Sequence, residues 1–103
     1  MKQEEVWDKI APDWYKNRTN VKSGLTNFIK GKKGKILDLG GGAGRMFIGL
    51  KTPATIYLTD FSKEMIRLAK KRAKEHKVKA EFKIANSTKI PYEDNFFDSA
   101  ICL

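Results

Sequence analysis

At 103 residues the chain has room for one small domain, and neither a stretch of eighteen apolar residues nor an apolar signal core occurs in it, so a cytoplasmic protein with no membrane span is expected. A single cysteine, Cys102, and a single histidine, His76, exclude an intramolecular disulfide and a cysteine–histidine metal cluster, and no metal site is expected. Lysines and arginines number 21 against 12 aspartates and glutamates, and the net charge of +9 points toward anionic partners such as nucleic acid.

Residues 1–30 read as an N-terminal helical region. From Gln3 to about Tyr15, Val6, Trp7, Ile10 and Trp14 recur at three- and four-residue spacing, which predicts an amphipathic helix interrupted near Pro12. A second helix is expected from Gly24 to Lys30. Ile36, Leu37 and Leu39 then form a short apolar run typical of a buried strand, and the glycines after it predict a tight turn leading into a helix. Thr55 to Asp60 (TIYLTD) is a β-branched and aromatic run ending in an acid. After it, Ser62 is a good N-cap, Glu64 complements the helix dipole, and Phe61 with Ile66 suits a hydrophobic staple. Met65, Leu68, Ala69 and Ala73 make the buried stripe of that helix, and the polar stretch Pro91–Asn95 reads as a loop. The alternation helix, strand, helix, strand, helix, strand, strand is that of an α/β domain.

The glycine segment carries the chemistry. Residues Lys35 to Gly44 read KILDLGGGAG. A dinucleotide fingerprint beginning at Gly40 and Gly42 requires glycine or alanine where Arg45 stands, and a phosphate-binding loop requires Gly-Lys-Ser/Thr where the chain has Gly44-Arg45-Met46. Asp38, at the end of the strand, would repel a phosphate and could accept a hydrogen bond from a cationic amine. Asp60, twenty residues beyond Gly40, suits a vicinal diol in any ribose-bearing cofactor.

The run D-L-G-G-G-A-G-R resembles motif I of class I S-adenosylmethionine-dependent methyltransferases, D-x-G-x-G-x-G, with Asp38, Gly40, Gly42 and Gly44 in register. Three further segments extend the resemblance: Thr55–Asp60 resembles the family's second strand, Ala80–Ser87 (AEFKIANS) its third, and Phe96–Leu103 (FFDSAICL) its fourth. The N-terminal stretch VWDKIAPDWYKNRTN is similar to that of a subset that includes the tRNA wobble-uridine methyl-ester-forming methyltransferases. The resemblance implies a Rossmann-like parallel sheet of about four strands in order 3-2-1-4 with flanking helices, a partial domain over residues 1–103 relative to the family's seven strands. It implies S-adenosylmethionine as cofactor and S-adenosylhomocysteine as product. On the same basis Asp38 and the turn of Gly40, Gly42 and Gly44 seat the methionine part, and Asp60 holds the ribose. Phe61, Asn86 and Ser87 border the adenine, and Tyr15 and Arg18 close over the cofactor. Asn86 stands where the family commonly has aspartate; its amide oxygen can still accept from an adenine amino group. No catalytic base is assigned, because the family's acceptor contacts come largely from loops after its fourth and fifth strands.

The expected fourth strand is apolar on both faces, and a bare edge there invites pairing. A shortened gene product, a split enzyme completed by a second polypeptide, and a homodimer joined through strand four all accommodate it. Lys63 to Lys83 holds nine basic residues against Glu64, Glu75 and Glu81, either a surface for RNA or a solvated helix face. The expected function is therefore the cofactor-binding portion of a methyltransferase acting on RNA or a small molecule. Its rivals are a non-catalytic nucleotide- or RNA-binding module and an assembly subunit.

Overall fold

Residues 3–17, 29, 31–86, 92, 93 and 95–102 are described in the computed structural model. Four strands, β1 (Lys35–Leu39), β2 (Thr55–Asp60), β3 (Ala80–Ile84) and β4 (Ser99–Cys102), form one parallel sheet in the order β3-β2-β1-β4, as expected from the sequence. β1 sits inside the sheet because Ile36, Leu37 and Asp38 are consecutively buried, the pattern of a parallel strand covered on both faces. Its register sets Ile36 beside Ile56 and Ser99, and Asp38 beside Leu58 and Ile101.

The period of two then sorts the side chains. One face presents Ile36, Asp38, Ile56, Leu58, Asp60 and Ile101, and the apolar members pack with Phe47, Leu50, Ile66, Ala69 and Ala73 into the main core. On the other face Tyr57 packs edge-to-face against Tyr92, Phe96 and Phe97 at centroid distances of 5.7, 5.4 and 5.4 Å. Lys35 Nζ lies 4.0 Å from the Phe96 ring centroid. β3, at the outer edge, alternates half-buried and exposed residues, and Ile84 at its end is 60% exposed.

Two long helices are seen among the described residues. α1 (Gln3–Asn17) runs through Pro12, whose nitrogen has no hydrogen to donate to the Asp8 carbonyl. The predicted interruption does not occur. Of the predicted stripe, Val6 and Ile10 do not face inward, being 42% and 37% exposed, whereas Ala11 is fully buried and Tyr15 is packed against the cluster of Ala11, Ala43, Met65 and Leu68. A small alanine lets the helix approach closely, so the contact face is Asp8, Ala11 and Tyr15. The side chains of Trp7 and Trp14 lie outside the described residues, as does most of the predicted helix at Gly24–Lys30; Ile29 from that segment is helical and fully buried.

α2 (Lys63–Glu75) starts where predicted, with Ser62 as N-cap accepting from the Met65 N–H. Its buried set is the predicted Met65, Leu68, Ala69 and Ala73 together with Ile66 and Arg72. At its end, His76 Nδ1 accepts from the Gly49 N–H at 3.2 Å. The helix predicted after the glycine turn is instead a three-residue 3₁₀ turn, Arg45–Phe47. Gly44 and Gly49, with φ of 77° and 65°, bracket it, and Ile48 is already extended, so no α-helical run can propagate. β3 and β4 are shorter than predicted. Asp98, just before β4, is used as a clamp: its carboxylate accepts from Lys35 N–H at 2.8 Å while its own N–H donates to the Lys35 carbonyl at 2.8 Å. A Cβ at Gly34 would collide with that carboxylate. The Cα radius of gyration, 13.0 Å, is that of a globular chain of about 100 residues. Among the described residues no helix is long and apolar enough to cross a membrane.

Candidate functional site

The candidate site lies at the carboxyl ends of β1 and β2, where an open parallel sheet leaves a crevice for ligands. Leaving β1, the backbone turns through Gly40 and Gly42 with φ of 64° and 59°, a conformation that side chains other than glycine resist. The turn is tied down by Gly41 N–H to the Thr59 carbonyl at 3.0 Å and by Gly44 N–H to the Gly41 carbonyl at 3.2 Å. Its two sides differ. A Cβ on Gly40 would meet nothing within 4 Å, whereas one on Gly41 would sit 2.6 Å from Leu58 and 2.8 Å from Asp38 Oδ2. One on Gly44 would stand 2.7 Å from the Phe47 ring and 3.1 Å from the Ala69 Cα. The turn is packed beneath and open above, which is the form of a cradle.

Two carboxylates belong to the cradle. Asp60 ends β2, and its Oδ2 accepts from the Gly42 N–H at 3.0 Å while Oδ1 accepts from the Ser62 N–H at 3.0 Å. Burial raises its pKa, the backbone N–H groups of Ser62, Gly42 and Phe61 draw it back down, and the charge of Asp8 pushes it up. A carboxylate offers about four acceptor sites, more than these backbone donors fill. Asp38 is placed otherwise than an open ligand contact: it is fully buried beneath Gly41, and neither oxygen has a hydrogen-bond partner. Burial first, and the charge of Asp60 second, raise its pKa from 3.8 to about 7. A buried carboxylate without a donor is a site short of one cation.

The other predicted residues are distributed unevenly. Gly40, Gly42 and Gly44 form the turn, and Gly42 and Asp60 are directly bonded. Phe61 is half-buried in the β2–α2 turn, and Asn86 is exposed beyond the end of β3, next to Ala85, whose N–H donates to the Asp60 carbonyl at 2.9 Å. Tyr15 lies against the carboxyl-terminal part of α2, its hydroxyl 3.4 Å from both Glu75 carboxylate oxygens and its ring 3.9 Å from the Arg72 guanidinium. Arg18 and Ser87 lie outside the described residues.

Three residues that sequence reasoning passed over belong to the framework. Gly41 has no room for a Cβ between Leu58 and Asp38, and only its place in a run of three glycines hinted at that. Arg72, buried, donates to the Tyr15 carbonyl at 2.7 Å and to the Ala43 carbonyl at 3.5 Å, tying α1 to the glycine turn. Asp8 Oδ1 accepts from Ser62 Oγ at 2.6 Å and from the Glu64 N–H at 3.2 Å, and the Ser62 bond holds its pKa below the usual carboxylate range. Among the described residues no group of three or more histidines, cysteines, aspartates or glutamates is placed to hold a metal ion.

Comparison with known proteins bears on the fold and the family. The chain is 29% identical over 68 residues to an uncharacterized protein of Mycobacterium tuberculosis, a match covering 65% of this chain and 25% of that one. It is similar in structure to the PH0226 protein of Pyrococcus horikoshii, with TM-score 0.66 and 28% identity, covering 97% of this chain and 46% of that one. A SAM-dependent methyltransferase from Aquifex aeolicus shares the fold at TM-score 0.65 and 21% identity, with 99% and 57% covered. The chain thus spans a quarter of the curated relative and about half of each solved structure. A model of the methyltransferase domain matches residues 30–103, the part that contains the whole sheet, the glycine cradle and both carboxylates, and the chain belongs to that family.

Proposed function

We propose that the chain is the S-adenosylmethionine-binding portion of a methyltransferase. The observation that carries this reading is the pairing of Asp60 with the glycine turn. One carboxylate, fixed by the Gly42 and Ser62 N–H groups and with acceptor capacity beyond its backbone donors, stands beside a turn that is open on the Gly40 side. The two oxygens of one carboxylate match the two hydroxyls of a ribose. Asp38, raised to a pKa of about 7, gives up its proton readily beside a cation and would then attract the ammonium and sulfonium of a cationic cofactor from beneath Gly41.

When bound, S-adenosylmethionine supplies an already activated methyl group. The chain's own residues bind, orient and keep water away, and alignment rather than acid–base chemistry is their contribution. The acceptor reading rests on charge. Lys63, Arg67, Lys70, Lys71 and Lys74 lie exposed on α2, with Lys77 and Lys79 just beyond; Arg67 is ion-paired to Glu64 at 2.9 Å, and Lys70 and Lys71 lie over the rings of Phe82 and Tyr15. That surface favours an RNA acceptor over a neutral small molecule.

Calorimetric titration with S-adenosylmethionine, S-adenosylhomocysteine and NAD tests the cofactor reading. Binding of the two sulfur compounds alone, lost in Asp60→Ala, supports it; equal binding of NAD, or binding indifferent to Asp60, overturns it. RNA binding that weakens steeply with salt and is unaffected by Asp60→Ala supports the acceptor reading, and salt-independent binding removes it.

A further inference from the structure

The amino end of α2 receives two side-chain acceptors, and one comes from another helix. Ser62, fully buried, accepts from the Met65 N–H at 3.2 Å and donates its hydroxyl to Asp8 Oδ1 at 2.6 Å. The same Asp8 oxygen accepts from the Glu64 N–H at 3.2 Å. Asp8 is thus a helix cap supplied by α1, satisfying a second of the N–H groups that every helix start leaves over. The residue it grips is the one whose backbone N–H holds Asp60 Oδ1 at 3.0 Å. Asp60 Oδ2 in turn holds Gly42. A continuous line of hydrogen bonds therefore runs from α1 through Ser62 and Asp60 into the glycine turn. One turn of helix after Asp8, Ala11 packs without exposure in a cluster with Ala43 of that same turn.

We infer that Asp8 is a positioning residue for the cofactor site, holding the Asp60 carboxylate through Ser62 in the pose that receives the ribose diol; this rests on the cofactor reading above. Two hydroxyls accepted side by side demand placement of the carboxylate within about 0.5 Å. The short, charge-assisted bond from Ser62 Oγ to Asp8 fixes the Ser62 side chain, and the N-cap backbone with it. No other side-chain bond among those of the described residues reaches Ser62 Oγ from outside α2.

The test uses the full chain with S-adenosylhomocysteine and its 2′-deoxyribosyl analogue as probes. Asp8→Ala should weaken S-adenosylhomocysteine about tenfold, the equivalent of one lost helix cap, and should shrink the preference over the 2′-deoxy analogue. Asp8→Glu keeps the charge but moves the oxygens by one methylene, and should lose the same preference. Asp8→Asn keeps an acceptor oxygen in place and should restore it. A helix cap with no bearing on the diol would lower stability in Asp8→Ala yet leave the ratio of the two affinities unchanged in all three variants, and that result overturns the inference. Should Asp8→Ala not fold, the contrast between Asp8→Glu and Asp8→Asn decides by the same ratio. Amide exchange in the ligand-free chain separates this claim from the cofactor reading. Faster exchange at Ser62 and Gly42 in Asp8→Glu supports the role of Asp8 even if the wild-type chain binds no S-adenosylhomocysteine; unchanged exchange there overturns it.

Discussion

Asp38 and Asp60 stand near the carboxyl ends of neighbouring strands on the same face of one sheet, yet one has no hydrogen-bond partner and the other is held by backbone N–H groups on both oxygens. The difference comes from the turns that follow. After β2 the chain turns into a helix whose N-cap N–H points back at Asp60, while after β1 the glycines fold over Asp38 and give it nothing. Asp60 is set in advance and costs little to use; Asp38 holds an unmet demand for positive charge that a ligand can satisfy.

The contrast is broken most severely by removing the charge of Asp38. With a pKa raised from 3.8 to about 7, the folded chain keeps a proton that the unfolded chain sheds, so stability falls as pH rises from about 4 to about 7 and is level above. The span is about 4 kcal/mol at 1.36 kcal/mol per pH unit. Asp38→Asn should abolish that fall, seen as urea unfolding free energies at pH 4 and pH 8 that converge relative to wild type. A wild-type pH profile in the variant would mean that Asp38 is paired after all. Asp60→Ala comes next: losing two charge-assisted bonds to a diol removes about 3 kcal/mol of binding, a hundredfold or more in affinity for S-adenosylhomocysteine by calorimetry.

The two glycines sharpen the comparison, since each serves one carboxylate. Gly41→Ala drives a methyl group into Leu58 and Asp38 and should cost about 2 kcal/mol of stability by thermal unfolding. Gly42→Ala strains a φ of 59° and should cost about 1 kcal/mol, with cofactor binding weakened through the Asp60 bond. If the order of these two is reversed, the turn is not packed beneath and open above.

Much of this was legible because it is written locally. Strand runs, the β2 boundaries, the Ser62 cap and the glycine register all depend on neighbours in sequence, and the resemblance supplied the strand order. What was not legible depends on approach between distant segments. The inward face of α1 is chosen by a small residue, Ala11, where hydrophobicity favoured Val6 and Ile10. Asp8 looked like one acid among several until α2 was set 54 residues away beside it. Asp38 read as an open ligand contact because spacing records position along the strand and not the depth of the turn above it. The missing helix after Gly44 was signalled by Gly49, whose φ of 65° outweighed the helix-compatible residues around it.

The clamp between Asp98 and Lys35 gives the fold a schedule. β1 is paired on both sides, but its partner at Ser99 is 63 residues farther along than Ile36. A ribosome adding about 5–20 residues per second needs roughly 3–13 seconds to cross that distance, and in that interval β1 and β2 can pair while one side of β1 stands open. Asp98 bonds both the N–H and the carbonyl of Lys35 just before β4 begins, so β4 meets its docking point before any residue of its own must be aligned. Nascent chains lacking that carboxylate would wait with an unpaired strand edge, and their loss would be seen in soluble yield before it was seen in equilibrium stability.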